Sequence, residues 1–127
     1  MASNDLISII IPVKNEKNRI RTIIDGLYRQ TYRPIEVIFV DGDSTDGTVE
    51  EIMSVIKEYS SGDFKVRLLR EGDFDSIRSP ANAKNIGFAN ARGVYVLFID
   101  ADYIILNRNF ISRVVEALRN TPRVSVG

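Results

Sequence analysis

Strands and helices alternate along the 127 residues, which predicts an α/β fold three layers deep, with a mainly parallel sheet between helices. Two observations carry that prediction. Residues 6–13 (LISIIIPV) and 94–99 (VYVLFI) are apolar on successive positions, as in strands buried on both faces. Between such runs, apolar residues recur at helical rather than alternating spacing. The composition, 44% hydrophobic and 27% charged, is that of a globular chain able to bury a core at this length without disulfides.

The elements follow in order. Residues 6–13 are a β-branched run, and Pro12 marks its end. Residues 15–30 read as a helix, because Ile20, Ile23, Ile24 and Leu27 share one face with charges between them. Residues 35–40 (IEVIFV) are the second strand, and an acidic turn follows over 41–48. Val49, Ile52, Met53 and Ile56 then line a helical face, and Thr48 with Glu51 has the spacing of a capping box. Residues 64–69 make a third, more exposed strand, and 71–78 a polar loop expected to be mobile. Ser79 before Pro80 is an N-cap followed by a first-turn proline. It opens a short helix over 80–91, ended by Gly93, whose small residues Ala83, Gly87 and Ala91 predict close packing on a neighbour. Residues 94–99 are the most apolar strand after the first, expected at the centre of the sheet. Phe110, Val114 and Leu118 define a last helix, and 124–126 open another strand. No repeat or low-complexity segment divides the chain, so residues 1–127 are expected to form a single domain.

Composition narrows the chemistry. There is no cysteine and no histidine, so thiol nucleophiles, Ser-His-Asp triads and imidazole or thiolate metal sites are excluded. Any metal must sit on oxygen ligands, which favours hard ions such as Mg²⁺ or Mn²⁺. Seventeen basic residues balance seventeen acidic ones, which argues against nucleic acid as a partner. Arg67, Arg70, Arg78, Arg92, Arg108 and Arg113 are scattered and read as solvated faces. The apolar run at the start is short and preceded by Asp5 rather than a basic residue, unlike a signal peptide, so a cytoplasmic location is expected.

In parallel α/β sheets ligands bind outside the carboxyl ends of the strands. The segments there are Lys14-Asn15-Glu16, Asp41-Gly42-Asp43, Arg70-Glu71 and Asp100-Ala101-Asp102. In Asp100-Ala101-Asp102 two carboxylates flank one small residue, and in extended backbone both face the same side, where they could hold one cation; a solvated acidic turn is the alternative. Asp41 can accept hydrogen bonds from a base or ribose, or the acids of 41–51 can serve the following helix N-terminus. An EF-hand is excluded because Asp46 stands where glycine is required and Ile52 where glutamate is. A P-loop is excluded because Thr48 follows Gly47 where lysine is needed. Asn15 and Glu16 can cap a helix and complement its dipole; alternatively the backbone of Pro12–Lys14 edges a nucleobase while Glu16 reaches a sugar hydroxyl. Lys84, near a helix start, can hold an anion or be an ordinary surface lysine.

Taken as an ordered set, four segments resemble the inverting glycosyltransferases of family 2, which have the GT-A fold. They are residues 8–16 (SIIIPVKNE), 40–48 (VDGDSTDGT), Ala83-Lys84-Asn85 with Gly87 and Ala91-Arg92-Gly93, and 97–102 (LFIDAD), the DxD motif. The resemblance implies a Rossmann-like nucleotide-diphospho-sugar binding domain and transfer of a sugar from a UDP- or GDP-sugar to an acceptor, with Mg²⁺ or Mn²⁺. It implies that Pro12, Lys14 and Glu16 hold base and ribose, that Asp41 bonds the base and that Lys84 lies near the donor. It further implies that Asp102 binds the metal and Asp100 the ribose or metal. The chain departs from the family in four places: Lys14 stands where an aromatic is common, Gly42-Asp43 reverses the frequent Asp-Gly order, Lys84 replaces a common arginine, and Tyr103 follows the DxD where an acid is frequent. Family members continue past this point to an acceptor site and a carboxylate base. The chain is therefore expected to be the donor-binding part of a longer, truncated enzyme, whose acceptor could be membrane-associated at the cytoplasmic face. The catalytic base stays unassigned, and self-association is expected through the edge near Val124 or the last helix. A response-regulator-like receiver module and a non-catalytic nucleotide-binding domain are the alternatives.

Overall fold

The computed structural model of the chain describes residues 4–74 and 79–120. Four strands form one parallel sheet: β1 (Ile7–Val13), β2 (Ile35–Asp41), β3 (Phe64–Arg70) and β4 (Tyr95–Phe98), in the order β3-β2-β1-β4. β1 and β2 are interior and, apart from the half-buried Pro12, buried along their whole length, which is why they read as unbroken apolar runs. Four helices connect and cover the sheet: α1 (Lys17–Tyr28), α2 (Thr48–Tyr59), α3 (Pro80–Asn90) and α4 (Phe110–Asn120).

The layering follows from the order. The chain steps from β1 to β2 to β3 in one direction and then returns past β1 to β4. Right-handed crossovers put helices on opposite faces when the direction reverses. Accordingly Ile20, Ile23, Ile24 and Leu27 of α1, Ile52 and Val55 of α2, and Ile111 and Val115 of α4 pack on Ile7, Ile9, Ile11, Val37 and Phe39. On the other face Ala83 and Ile86 of α3 pack on Ile10, Ile38 and Val40. The close approach expected of α3 is present: a Cβ on Gly87 would lie 2.4 Å from Ile10 Cγ2.

Several expectations are corrected. β4 is not central but lies at the edge of the described sheet and is only half-buried, so its apolar sequence does not report a doubly covered strand. On α2 the core position belongs to Val55, while Met53 is 54% exposed. On α4 the buried residues are Ile111 and Val115, one place on from the expected Phe110 and Val114; Leu118 is exposed. Arg67 is no solvated arginine. Its guanidinium donates to Glu36 Oε1 at 2.8 Å and to the carbonyl of Asn90 at 2.9 Å. Glu36 is buried in β2 and accepts as well from Ser8 Oγ (2.7 Å) and from the Arg92 amide (3.1 Å). The Gly93 amide donates to Ser8 Oγ at 2.8 Å, and a Cβ there would stand 2.7 Å from both the Ser8 amide and hydroxyl. This network ties the chain after α3 to the sheet and sets where β4 begins. Residues 75–78 of the expected mobile loop, Arg78 among them, and the expected strand at 124–126 lie outside the described residues. No helix among the described residues is long and apolar enough to cross a membrane.

Candidate functional site

The register puts Val13, Asp41 and Arg70 level at the carboxyl ends of β1, β2 and β3. Ile99 donates to the Ile10 carbonyl at 3.0 Å, extending the β4 ladder towards Asp100. The strand order reverses between β1 and β4, where a parallel sheet opens a crevice. A cavity of about 410 Å³ occupies that place.

Segments far apart in the chain meet there. From the end of β1 come Pro12, Lys14 and Glu16; from α3, Lys84; from the turn beyond β4, Asp100 and Asp102. Six of the seven residues singled out in the sequence therefore line one cavity. Asp41 does not line it. Its carboxylate is buried and accepts from both the amide and the hydroxyl of Ser44, while its neighbour Gly42 contributes the wall. Asp100 and Asp102 flank the buried Ala101, and the Asp100 carbonyl accepts from the Tyr103 amide at 3.0 Å, so the pair sits in a turn rather than in extended strand. The Lys84 ammonium stands 6.0 Å from the centre of the Phe98 ring, and Glu16 pairs with Arg19 at 3.0 Å.

The acidic turn after β2 does mechanical work on this rim. Three amides at the start of α1 are satisfied by its side chains: Asn15 N by Ser44 Oγ (2.8 Å), Glu16 N by Thr48 Oγ1 (3.0 Å) and Lys17 N by Asp46 Oδ2 (3.3 Å). In return Asn15 Oδ1 accepts from the Thr45 amide at 2.8 Å. Asn15 thus caps the turn, not its own helix, and adopts a left-handed φ of 53° to do so; Asp43 is left-handed too, at 65°, a conformation these two residue types tolerate best after glycine. The capping box expected of Thr48 and Glu51 does not form. Gly47 is the N-cap of α2, Asp46 accepts from the Thr48 amide and hydroxyl, and Glu51 pairs with Arg21 across the helices. The Thr48 hydroxyl, and with it the amides of Lys17 and Thr48, hold the Asp46 carboxyl below its ordinary range.

Sequence reasoning sets Glu71 among the strand-end segments but gives it no role. It falls in the expected mobile loop, yet it begins a 3₁₀ turn directly after β3, is 2% exposed and lines the cavity. Oε1 accepts from the Ser79 amide at 2.8 Å, which fixes the start of α3. Its position at a strand's carboxyl end, like that of Asp41, was the available signal. Ser79 then caps α3 as expected, accepting from the Asn82 amide at 3.1 Å.

The cavity is lined by four carboxylates (Glu16, Glu71, Asp100, Asp102) and two ammonium groups (Lys14, Lys84). Such a lining repels a bare anion and accepts one accompanied by a cation. Among the described residues no group of three or more ligating side chains gathers. Asp100 and Asp102 suit a hard divalent ion that takes one or two carboxylates and completes its shell from substrate phosphates and water.

Comparison with known proteins agrees with this geometry. The model of the family described as Glycosyl transferase family 2 matches residues 8–127. The chain is 32% identical over 115 residues, 91% of its length, to the uncharacterized glycosyltransferase EpsJ of Bacillus subtilis. It superimposes on the mannosyltransferase PcManGT of Pyrobaculum calidifontis, in complex with GDP-Man and Mn²⁺, over 94% of its length with a TM-score of 0.78 and 26% identity. It shares its fold with glucosyl-3-phosphoglycerate synthase of Mycobacterium tuberculosis, in complex with Mn²⁺, UDP and glucosyl-3-phosphoglycerate, over 92% of its length (TM-score 0.73, 23% identity). The chain spans 31%, 34% and 40% of these three proteins, and 14% of the Streptococcus pneumoniae glycosyltransferase GlyA. The family match over nearly the whole chain, together with the superposition on PcManGT, places this chain in glycosyl transferase family 2.

Proposed function

We propose that this chain is the donor-binding part of a glycosyltransferase that moves a sugar from a UDP- or GDP-sugar to an acceptor hydroxyl with inversion at the anomeric carbon. The observation that carries the proposal is the convergence of Lys14, Lys84, Asp100 and Asp102 on one cavity at the switch point of the sheet. The complex of PcManGT with GDP-Man and Mn²⁺ supports a nucleotide-sugar donor.

In this reading the backbone of Pro12–Lys14 edges the base, Glu16 takes a ribose hydroxyl, and Lys14 and Lys84 face the diphosphate. Asp100 and Asp102 would hold Mg²⁺ or Mn²⁺, which when bound neutralises charge growing on the diphosphate leaving group. The acceptor oxygen attacks the anomeric carbon from the face opposite the departing diphosphate, which leaves with the bonding pair, while the hydroxyl proton passes to a general base that this reading leaves unassigned; one displacement inverts the centre. The acceptor could be a lipid phosphate at the cytoplasmic face of a membrane, a growing glycan or a protein. Calorimetric titration of UDP and GDP, with and without Mn²⁺, tests the proposal. One nucleotide should bind in a metal-dependent way, and Asp102→Ala should weaken it at least tenfold. Binding of equal strength without metal, or undiminished in the variant, removes the assigned role of Asp102.

A further inference from the structure

The strand order gives the cavity a direction. Asp100 and Asp102 lie beyond β4 at one end of the sheet, and Glu71 lies beyond β3 at the other, with β1 and β2 between. The Glu71 carboxylate leans back over Gly42 at the end of β2, so two interstrand spacings of about 4.8 Å separate it from the aspartates beyond β4, a span that a ribose and diphosphate bridge. If the diphosphate lies at the aspartates, the base lies towards β2 and β3.

At that end the expected reader does not line the cavity: the Ser44 amide and hydroxyl engage both oxygens of the Asp41 carboxylate. Glu71 does. Its Oε1 is held by the Ser79 amide, and its Oε2 stands 3.0 Å from where a Cβ on residue 42 would be. Residue 42 is glycine, and it too lines the cavity. The reversed order Gly42-Asp43 thus removes a side chain from in front of Glu71 and places the second carboxylate of the pair at the exposed, left-handed position 43.

Building on the donor-binding reading above, we propose that Glu71 reads the nucleobase and selects guanine. A carboxylate has acceptors only. Guanine presents two adjacent donors on one edge, N1–H and the N2 amino group, which match the two oxygens. Uracil presents one donor, N3–H, between two carbonyl oxygens that repel the second carboxylate oxygen. Adenine presents an acceptor, N1, where the carboxylate needs a donor.

The test is a titration of the chain with GDP, inosine diphosphate, UDP and ADP, each with Mn²⁺, by calorimetry. GDP should bind about tenfold or more tightly than UDP and ADP, and inosine diphosphate, which lacks only the N2 amino group, about fivefold more weakly than GDP. Glu71→Gln can keep the bond to the Ser79 amide through its carbonyl and turn the other atom from acceptor to donor, so it should erase the preference for GDP over UDP while leaving the melting temperature nearly unchanged. UDP binding as well as GDP, inosine diphosphate binding as well as GDP, or a guanine preference that survives in Glu71→Gln would each overturn the assignment while leaving the nucleotide site standing. Failure of all four diphosphates to bind would overturn the donor-binding reading and this proposal with it. If Glu71→Gln does not fold, the four-nucleotide series on the unaltered chain decides.

Discussion

Gly87→Ala isolates the contact that seats α3 on the sheet. The new methyl would lie 2.4 Å from Ile10 Cγ2, 3.2 Å from Cγ1 and 3.3 Å from Cδ1, against an ordinary separation of about 3.5–4 Å. Ile10 is fully buried in β1, paired on both sides, and cannot swing away. Replacing a helical glycine by alanine normally gains about 1 kcal/mol. Overpacking a buried site costs about 1–3 kcal/mol, and a 2.4 Å approach belongs near the top of that range. The net should be a loss of about 1–2 kcal/mol, or roughly a 5 °C fall in melting temperature for a chain of this size. Ile10→Ala alone should cost about 2–5 kcal/mol by leaving a cavity. In the double variant the methyl added at position 87 enters the space that the isoleucine has left, so the combined loss should fall short of the sum by about 1 kcal/mol or more. Urea denaturation of the four proteins measures the cycle. Gly87→Ala as stable as the parent, or strict additivity with Ile10→Ala, would refute the packing argument.

Two further outcomes follow from the hydrogen bonds. Burial pushes the Glu36 carboxyl up, but the bonds from Ser8, Arg92 and Arg67 together outweigh it and hold the group below its ordinary value. A carboxyl lowered on folding contributes stability that is present above its unfolded value and lost as pH falls through the folded one, so the parent should weaken below about pH 4. Glu36→Gln, which leaves Arg67 without its counter-charge, should cost about 2 kcal/mol at neutral pH and flatten that acid dependence; an unchanged acid limb in the melting curve would remove the carboxylate from the account. Thr48→Val keeps the buried shape but takes the acceptor from the Glu16 amide, so it should cost about 1–2 kcal/mol and speed exchange at that amide, whereas Thr48→Ser should retain protection there.

The order of strands and helices was legible in the chain because each element carries its own period. Ile20, Ile23, Ile24 and Leu27 mark the buried stripe of α1 as sequence spacing requires, and Ser79-Pro80 marks the start of α3 through local chemistry alone. Errors arose where burial is decided by a partner. Leu118 and Met53 are apolar but face solvent, since which stripe of a short helix is covered depends on the neighbour it meets. Charged residues misled for the same reason: Arg67 and Glu36 are far apart in the chain, and only the pairing of β2 with β3 brings them within 2.8 Å. The chain by itself thus determined the alternation, the extended runs and the acids and lysines that end the strands, all properties of contiguous residues. Tertiary structure alone decided that six of those residues share a cavity, that Ser44 covers Asp41 and that Glu71 stands behind Gly42, because side-chain direction at a strand's end is set by the loops packed against it, which belong to other parts of the chain.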